Sequence, residues 1–319
     1  MSHSRALAET IETARQAEHL GYSRFWVAEH HGMPAIASSA PAVLIGAIAA
    51  ATSTIRVGSG GVMLPNHSSL VVAEQFGTLV ALHGDRIDLG LGRAPGTDQL
   101  TASVLRRNMA AESVDGFPQQ VVELLAWFGT IRPLENGIGS HIVAVPGFGD
   151  SPEIWLLGSS NFSAQLAGMM GLPFAFAHHF AGGPNTPVAF DTYRRHFTAS
   201  AGLGEPRSMV AVTAIVADDA AQAERLALPH SLLFVRMRQG GRPTTIPTLA
   251  EAEAHEWTEP ERAWVSERNG QQAIGNLDHV TARITALVEE TGADEVIVVP
   301  QGPDLETKLQ TLRLLAPDH

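Results

Sequence analysis

Three short apolar runs between Ser23 and Asp98 each finish in a cluster of charge, imidazole or glycine, and they constrain the fold more than any other feature. They are Arg24-Phe-Trp-Val-Ala-Glu-His-His31, Ile55-Arg-Val-Gly-Ser-Gly-Gly-Val-Met-Leu-Pro65 and Arg86-Ile-Asp-Leu-Gly-Leu-Gly-Arg-Ala-Pro-Gly96. Segments of helical length separate them. Strand–helix repeats with the chemistry at the strands' C-terminal ends describe a parallel α/β enzyme, because the loops that follow such strands gather on one rim.

The rest of the chain extends the rhythm. An amphipathic helix over 5–20 carries Leu7, Ile11, Ala14 and Leu20 on one side, and Gly21 stops it. Further strands are expected at 153–157, 173–177, 209–217 and 295–299, with helices between them, giving seven core strands. The glycine- and proline-rich stretch 131–150 reads as a hairpin-like excursion, and 230–270 as an irregular lid or interface insertion. All 319 residues are expected to form one TIM (β/α)8-type barrel domain, since such barrels take roughly 250 residues. The chain opens on a helix where such a barrel opens on a strand. Either the barrel lacks its first strand or the reading frame starts late.

Composition removes several functions. A net charge of −12 argues against nucleic-acid binding, which needs clustered positive charge. Lys308 is the only lysine among 21 basic residues and sits in a polar helix, which argues against Schiff-base catalysis. The absence of cysteine excludes disulfides and thiolate chemistry. No apolar run approaches the ~20 residues of a membrane span, and no signal pattern opens the chain, so a cytoplasmic protein is expected.

Each strand end has a functional and a plain reading. Alternation in a strand puts Glu29 and His31 on one side and His30 on the other, so His30 is either a general base or an ion-paired cap. No metal site is expected, because adjacent histidines diverge and no His-Glu-x-x-His pattern occurs. Gly58-Ser-Gly-Gly61 marks either a bulge or a close approach of ligand. Gly90-Leu-Gly-Arg-Ala-Pro-Gly96 has the wrong spacing for a dinucleotide fingerprint, and Pro95-Gly96 breaks the chain where a helix should open. What remains is a flat strand face beside Arg93, a residue suited to holding an anion. Gly158-Ser-Ser-Asn161 joins strand to helix, either as an ordinary N-cap or as a phosphate cradle. His178-His179 closes another strand.

Together these segments resemble the bacterial-luciferase-like family of flavin-dependent monooxygenases. The densest matches are Ala28-Glu-His-His-Gly-Met-Pro34, Val57–Pro65 and Arg86–Asp98, and the resemblance continues to Gly292-Ala-Asp-Glu-Val-Ile-Val-Val299. It implies a variant TIM barrel, usually dimeric, that takes reduced FMN from a separate NAD(P)H:flavin reductase. Such an enzyme reacts with O2 and a small apolar organic substrate. By position, His30 matches the acid/base histidine beside the flavin, and Gly60–Gly61 the pair joined by a cis peptide under the ring. Gly92 stands where luciferases place a cysteine. Arg93, Gly158, Ser159 and Ser160 match the phosphate contacts, and His178 and Glu29 complete the cofactor-binding set. Two other readings share the fold: a deazaflavin-dependent hydride-transfer enzyme, and a flavin-binding protein that has lost catalysis.

Overall fold

A computed structural model describes residues 2–106, 116–131, 142–242 and 244–317. Its strands are β1 (Arg24–Val27), β2 (Arg56–Met63), β3 (Ile87–Gly92), β4 (Glu153–Gly158), β5 (Phe174–Phe176), β6 (Ser208–Val216), β7 (Ala273–Gly275) and β8 (Glu295–Pro300). Helices alternate with them: α1 (His3–His19), α2 (Pro41–Ala51), α3 (Ser69–His83), α4 (Gln99–Leu105), α5 (Phe117–Trp127), α6 (Asn161–Met170), α7 (His178–Ala181), α8 (Asn185–His196), α9 (Ala220–Arg238), α10 (Leu249–Glu253), α11 (Glu259–Gly270), α12 (Leu277–Thr291) and α13 (Leu305–Leu314).

Every ladder is parallel, and β1 to β7 pair in sequence order. Strand β6 forks. Its first part, from Met209 to Ala214, pairs with β8, and its last part, from Ala214 to Val216, pairs with β7. All nine β6 residues are buried, as the central strand of a two-sided sheet requires. Among the described residues β1 pairs with β2 alone and β8 with β6 alone, so the curled sheet has an open seam. A cavity of about 990 Å³ lies along that seam, lined by Arg24, Glu295, Val296 and Val298. All six β8 residues are only half-buried for this reason.

Two apolar cores hold the sheet. The larger packs the helices onto the outer face and includes Ile45, Ile48, Val57, Phe76, Ile87, Leu89, Phe174 and Phe190, each removed from solvent. Burying side chains of this size stabilises by roughly 1.5–3 kcal/mol each. The smaller lies inside the curl, where Trp155, Ala175 and Met209 pack with Trp26 and Ile297. Trp26 meets Trp155 edge-on at 5.7 Å.

Below the inner core, at the N-terminal ends of the strands, six charges form a closed circuit. Asp88 bonds Arg24 and Arg56 at 2.7 Å each, Glu153 bonds Arg56 at 3.3 Å and Arg207 at 2.6 Å, and Glu295 bonds Arg207 at 2.7 Å and Arg24 at 2.8 Å. Asp88 has no exposure at all and also accepts the Trp26 indole N–H at 2.8 Å. Every charge has at least two partners of opposite sign, the condition under which buried charge is tolerated.

The structure departs from the sequence expectations in two places. Among the described residues the sheet has eight strands where the sequence predicts seven; β7, with three residues and no alternation, leaves no signal in the sequence. The stretch 230–270 is not irregular. It contains the second half of α9, all of α10 and all of α11, the last two opened by capping boxes at Thr248 and Thr258. Of the expected excursion at 131–150, residues 132–141 lie outside the described residues. Residues 142–150 form turns with a cis Val145–Pro146 bond. The stop at Gly21 is as read, with φ at +81° beyond the end of α1.

Candidate active site

The loops after β1, β2 and β3 are tied to one another at the C-terminal rim. Beyond β1 the chain keeps the alternation expected of it. Glu29 and His31 share one side, where His31 Nε2 donates to Glu29 Oε1 at 2.7 Å. His30 faces the other way, with Nδ1 at 3.3 Å from the Gly96 carbonyl and its backbone N–H on Ser38 O at 2.9 Å. Burial pulls the His30 pKa below its ordinary value, so near neutral pH the ring is uncharged and able to take a proton.

Glu29 is fully buried, and its carboxylate is spent within the protein. A second histidine, His67 from the turn after β2, donates to Oε1 at 2.7 Å, and the Met63 N–H donates to Oε2 at 3.2 Å. Burial pushes the carboxyl up, but the two imidazoles and the amide outweigh it and its pKa lies below the usual range. The Glu29, His31 and His67 donor atoms lie within 4.8 Å of one another, a ligand set able to take a divalent cation. The hydrogen bonds satisfy the carboxylate without one. His67 carried no signal in the sequence, because its partners are 36 and 38 residues away.

The Gly60–Gly61 peptide is cis. A Cβ on Gly60 would press on Trp26 at 3.2 Å, and one on Gly61 would stand 2.7 Å from the Gly90 carbonyl. Side chains have no room here, and bare backbone forms the floor of the rim. Gly92 ends β3, buried against Met63.

Arg93 follows directly. Its guanidinium lies 4.1 Å from the centre of the Phe162 ring, at the second residue of α6. Among the described residues no carboxylate stands within ion-pair distance of it. The turn into α6 is Gly158-Ser159-Ser160: both serines are exposed, and Ser160 is the N-cap yet makes no side-chain cap bond. A Cβ on Gly158 would run into the Ser163 side chain, so this turn takes only glycine. Helix N-terminal amides, two unspent hydroxyls and a guanidinium without an acid partner therefore meet at one point.

His178 does not join them. It is buried, with Nδ1 on Thr186 Oγ1 at 2.9 Å and Nε2 on the Gln271 carbonyl at 2.8 Å, so both ring nitrogens are engaged within the protein. Its neighbour His179 lines a cavity beside α9 and α11. Two neighbouring histidines gave the sequence no means of telling which would turn inward.

With that geometry in place, the kinship is clear. A family model described as luciferase-like monooxygenase matches residues 1–295. The chain belongs to the luciferase-like monooxygenase family. A luciferase-like monooxygenase of Escherichia coli (strain K12) is 44% identical over 310 residues, covering 97% of this chain and 90% of the relative. An N-acetyl-S-alkylcysteine monooxygenase of Bacillus subtilis (strain 168) is 37% identical over 254 residues, 78% of this chain and 73% of that one. The crystal structure of apo-MsnO8 superimposes with a TM-score of 0.89 at 37% identity, covering 99% of this chain and 92% of that one. This luciferase-like monooxygenase is thus an enzyme built on the family's barrel-type sheet, and a monooxygenase takes an organic substrate and O2. Among the described residues no helix is long and apolar enough to cross a membrane.

Proposed function

We propose that this enzyme binds FMN, uses it in the reduced form as supplied by a separate NAD(P)H:flavin reductase, and inserts oxygen from O2 into a small organic substrate. The supporting observation is the anion cradle at α6, where Arg93, Ser159, Ser160 and the helix amides suit a phosphate monoester. Its residues fit the cofactor: a cation without an acid partner, hydroxyls without a helix to cap, and a glycine at the tightest turn. When bound, the flavin supplies the reaction with oxygen.

The chain's own residues prepare that reaction. Gly60, Gly61 and Gly92 let bare backbone pack against Trp26, the Gly90 carbonyl and Met63, a floor free of side chains that would suit a flat ring. His30, uncharged and anchored through Gly96, receives or returns a proton at an imidazole nitrogen. Glu29 acts at one remove, fixing His31 and His67 and so the loop on which His30 stands. The α9–α11 region reads as a cover for the rim. We place the enzyme in the cytoplasm as a homodimer. The name of the B. subtilis relative, which specifies an N-acylated amino acid thioether, supports a substrate of modest size.

Cofactor preference tests this reading. Titrated in parallel with FMN and with the deazaflavin cofactor, the protein should bind FMN more tightly, and its turnover should consume O2. Tighter deazaflavin binding with no dependence on O2 would move the enzyme to hydride transfer.

A further inference from the structure

A second cavity, of about 490 Å³, opens beside the rim between α9 and α11. We infer that it seats the substrate, and that the substrate is an organic acid bearing an N–H or O–H donor near its carboxylate and an apolar arm. The inference rests on the oxygenase reading for its chemistry, but its own ground is the set of groups left unsatisfied in this cavity.

The first is Arg268. Its guanidinium is half-buried and lies 4.0 Å from the centre of the Phe234 ring. Its side-chain hydrogen bonds are long, 3.3 Å to Asn269 Oδ1 and 3.4 Å to the His179 carbonyl. No acid in the described residues comes within ion-pair distance, although exposed Glu267 lines the same cavity. Burial lowers its pKa. A partly desolvated cation with weak neutral partners is costly unless a ligand anion completes it. A planar guanidinium stacked on an aromatic ring offers its edge to a carboxylate in two-point fashion.

The second is His179. Its Nδ1 is buried with no hydrogen-bond partner in the described structure. In a neutral imidazole protonated at Nε2, Nδ1 presents a lone pair. Burial, with lesser contributions from Arg268, His178 and His30, brings the ring's pKa down to about 4, so the lone pair persists at neutral pH. A ligand donor is what that nitrogen lacks. His179 follows β5 directly, so the cavity opens at the same end of the parallel sheet as the rim described above.

The remaining walls are apolar. Phe180, 63% exposed, meets the His179 ring edge-on at 4.5 Å, and Met237 and Trp264 line the far side. Arg238 stacks over Trp264 at 5.1 Å, adding a second cation near the entrance. Acid on Arg268, donor on His179 Nδ1 and arm on Phe180, Met237 and Trp264 together describe an N-acylated amino acid or a close isostere.

Calorimetric titration of the full chain, with and without FMN, tests this with three probes: N-acetylphenylalanine, its neutral amide, and 3-phenylpropanoate, which lacks the N–H. N-acetylphenylalanine should bind, and each of the other two should bind about tenfold more weakly. Arg268→Gln should weaken the acid about tenfold while leaving the amide and FMN unchanged, and Arg268→Lys should lie between. Equal binding of acid and amide to the wild type, or no binding of any probe, would overturn the assignment without recourse to a variant. Loss of FMN affinity in a folded Arg268→Gln would give the cavity to the cofactor phosphate instead. Should FMN fail to bind while the acid binds as described, the cofactor reading falls and this subsite stands.

Discussion

The two ends of the strands differ in one respect above all: whether any of their charged and polar groups is left short of a partner. At the N-terminal end, Arg24, Arg56, Arg207, Asp88, Glu153 and Glu295 complete one another in a circuit. Next to it one oxygen of Glu18 takes the N–H groups of Ser53, Thr54 and Ile55 at 2.8, 2.6 and 3.0 Å, tying the end of α1 to the start of β2. At the C-terminal end, Arg93, Ser160, His179 and Arg268 are left short of partners. Satisfied polar groups stabilise a fold, whereas unsatisfied ones store binding capacity at the expense of stability. One end is built to hold the sheet and the other to hold ligands.

If that division is right, substitutions should separate cleanly. The largest effect belongs to the closed end. Asp88→Ala takes one carboxylate partner from each of Arg24 and Arg56 and the acceptor from the buried Trp26 indole, and should cost about 3–5 kcal/mol in urea unfolding, with FMN affinity little changed in the folded fraction. A stable Asp88→Ala would show that the circuit is ornamental. At the open end, His30→Ala should slow O2-dependent turnover about a hundredfold while the unfolding midpoint stays in place. A shifted midpoint would make His30 structural. Arg93→Ala should weaken FMN by about 1.5–3 kcal/mol, again without destabilising the chain.

Acid sharpens the contrast. At the open end, burial takes His179 from an ordinary 6.5 down to about 4, and it does the same to His230, which lies within α9 and whose Nδ1 is buried without a partner among the described residues. Between those values the unfolded chain takes up protons that the folded chain refuses, so this stability is complete above about 6.5 and lost as pH falls toward 4. At the closed end, partial burial pushes Glu18 up, but the amides and the Thr54 hydroxyl outweigh it and bring it from 4.5 to about 2. Its contribution is present above 4.5 and fades only as pH falls toward 2. Hydrogen exchange should therefore show the α9 region loosening at mild acidity, before the junction of α1 and β2. Glu18→Gln should remove only the later, smaller change.

The sequence revealed the open end better than the closed one. Glycines, imidazoles and arginines at successive strand ends announce themselves because they break apolar runs, and Gly60–Gly61, Arg93 and Ser159–Ser160 all sit on that rim. The charge circuit was invisible. Its six members come from β1, β2, β3, β4, β8 and the residue before β6, and no local pattern links Arg24 to Glu295 across 271 positions. His67 and Arg268 carried no signal, and the His178–His179 pair did not show which ring faces the cavity, for related reasons. Each acquires meaning from a partner supplied by tertiary packing, or from the lack of one. Strand β7 was too short to leave a period, and the polar surface of α11 disguised a helix as a loop.

The account stands or falls on the anion cradle at α6. Fluorescence titration of the wild type and of Arg93→Ala with FMN and with riboflavin, which lacks the phosphate, tests it most directly. The wild type should prefer FMN by tenfold or more, and Arg93→Ala should bind the two alike. Equal affinity for both flavins in the wild type, or a full FMN preference surviving in Arg93→Ala, would contradict it.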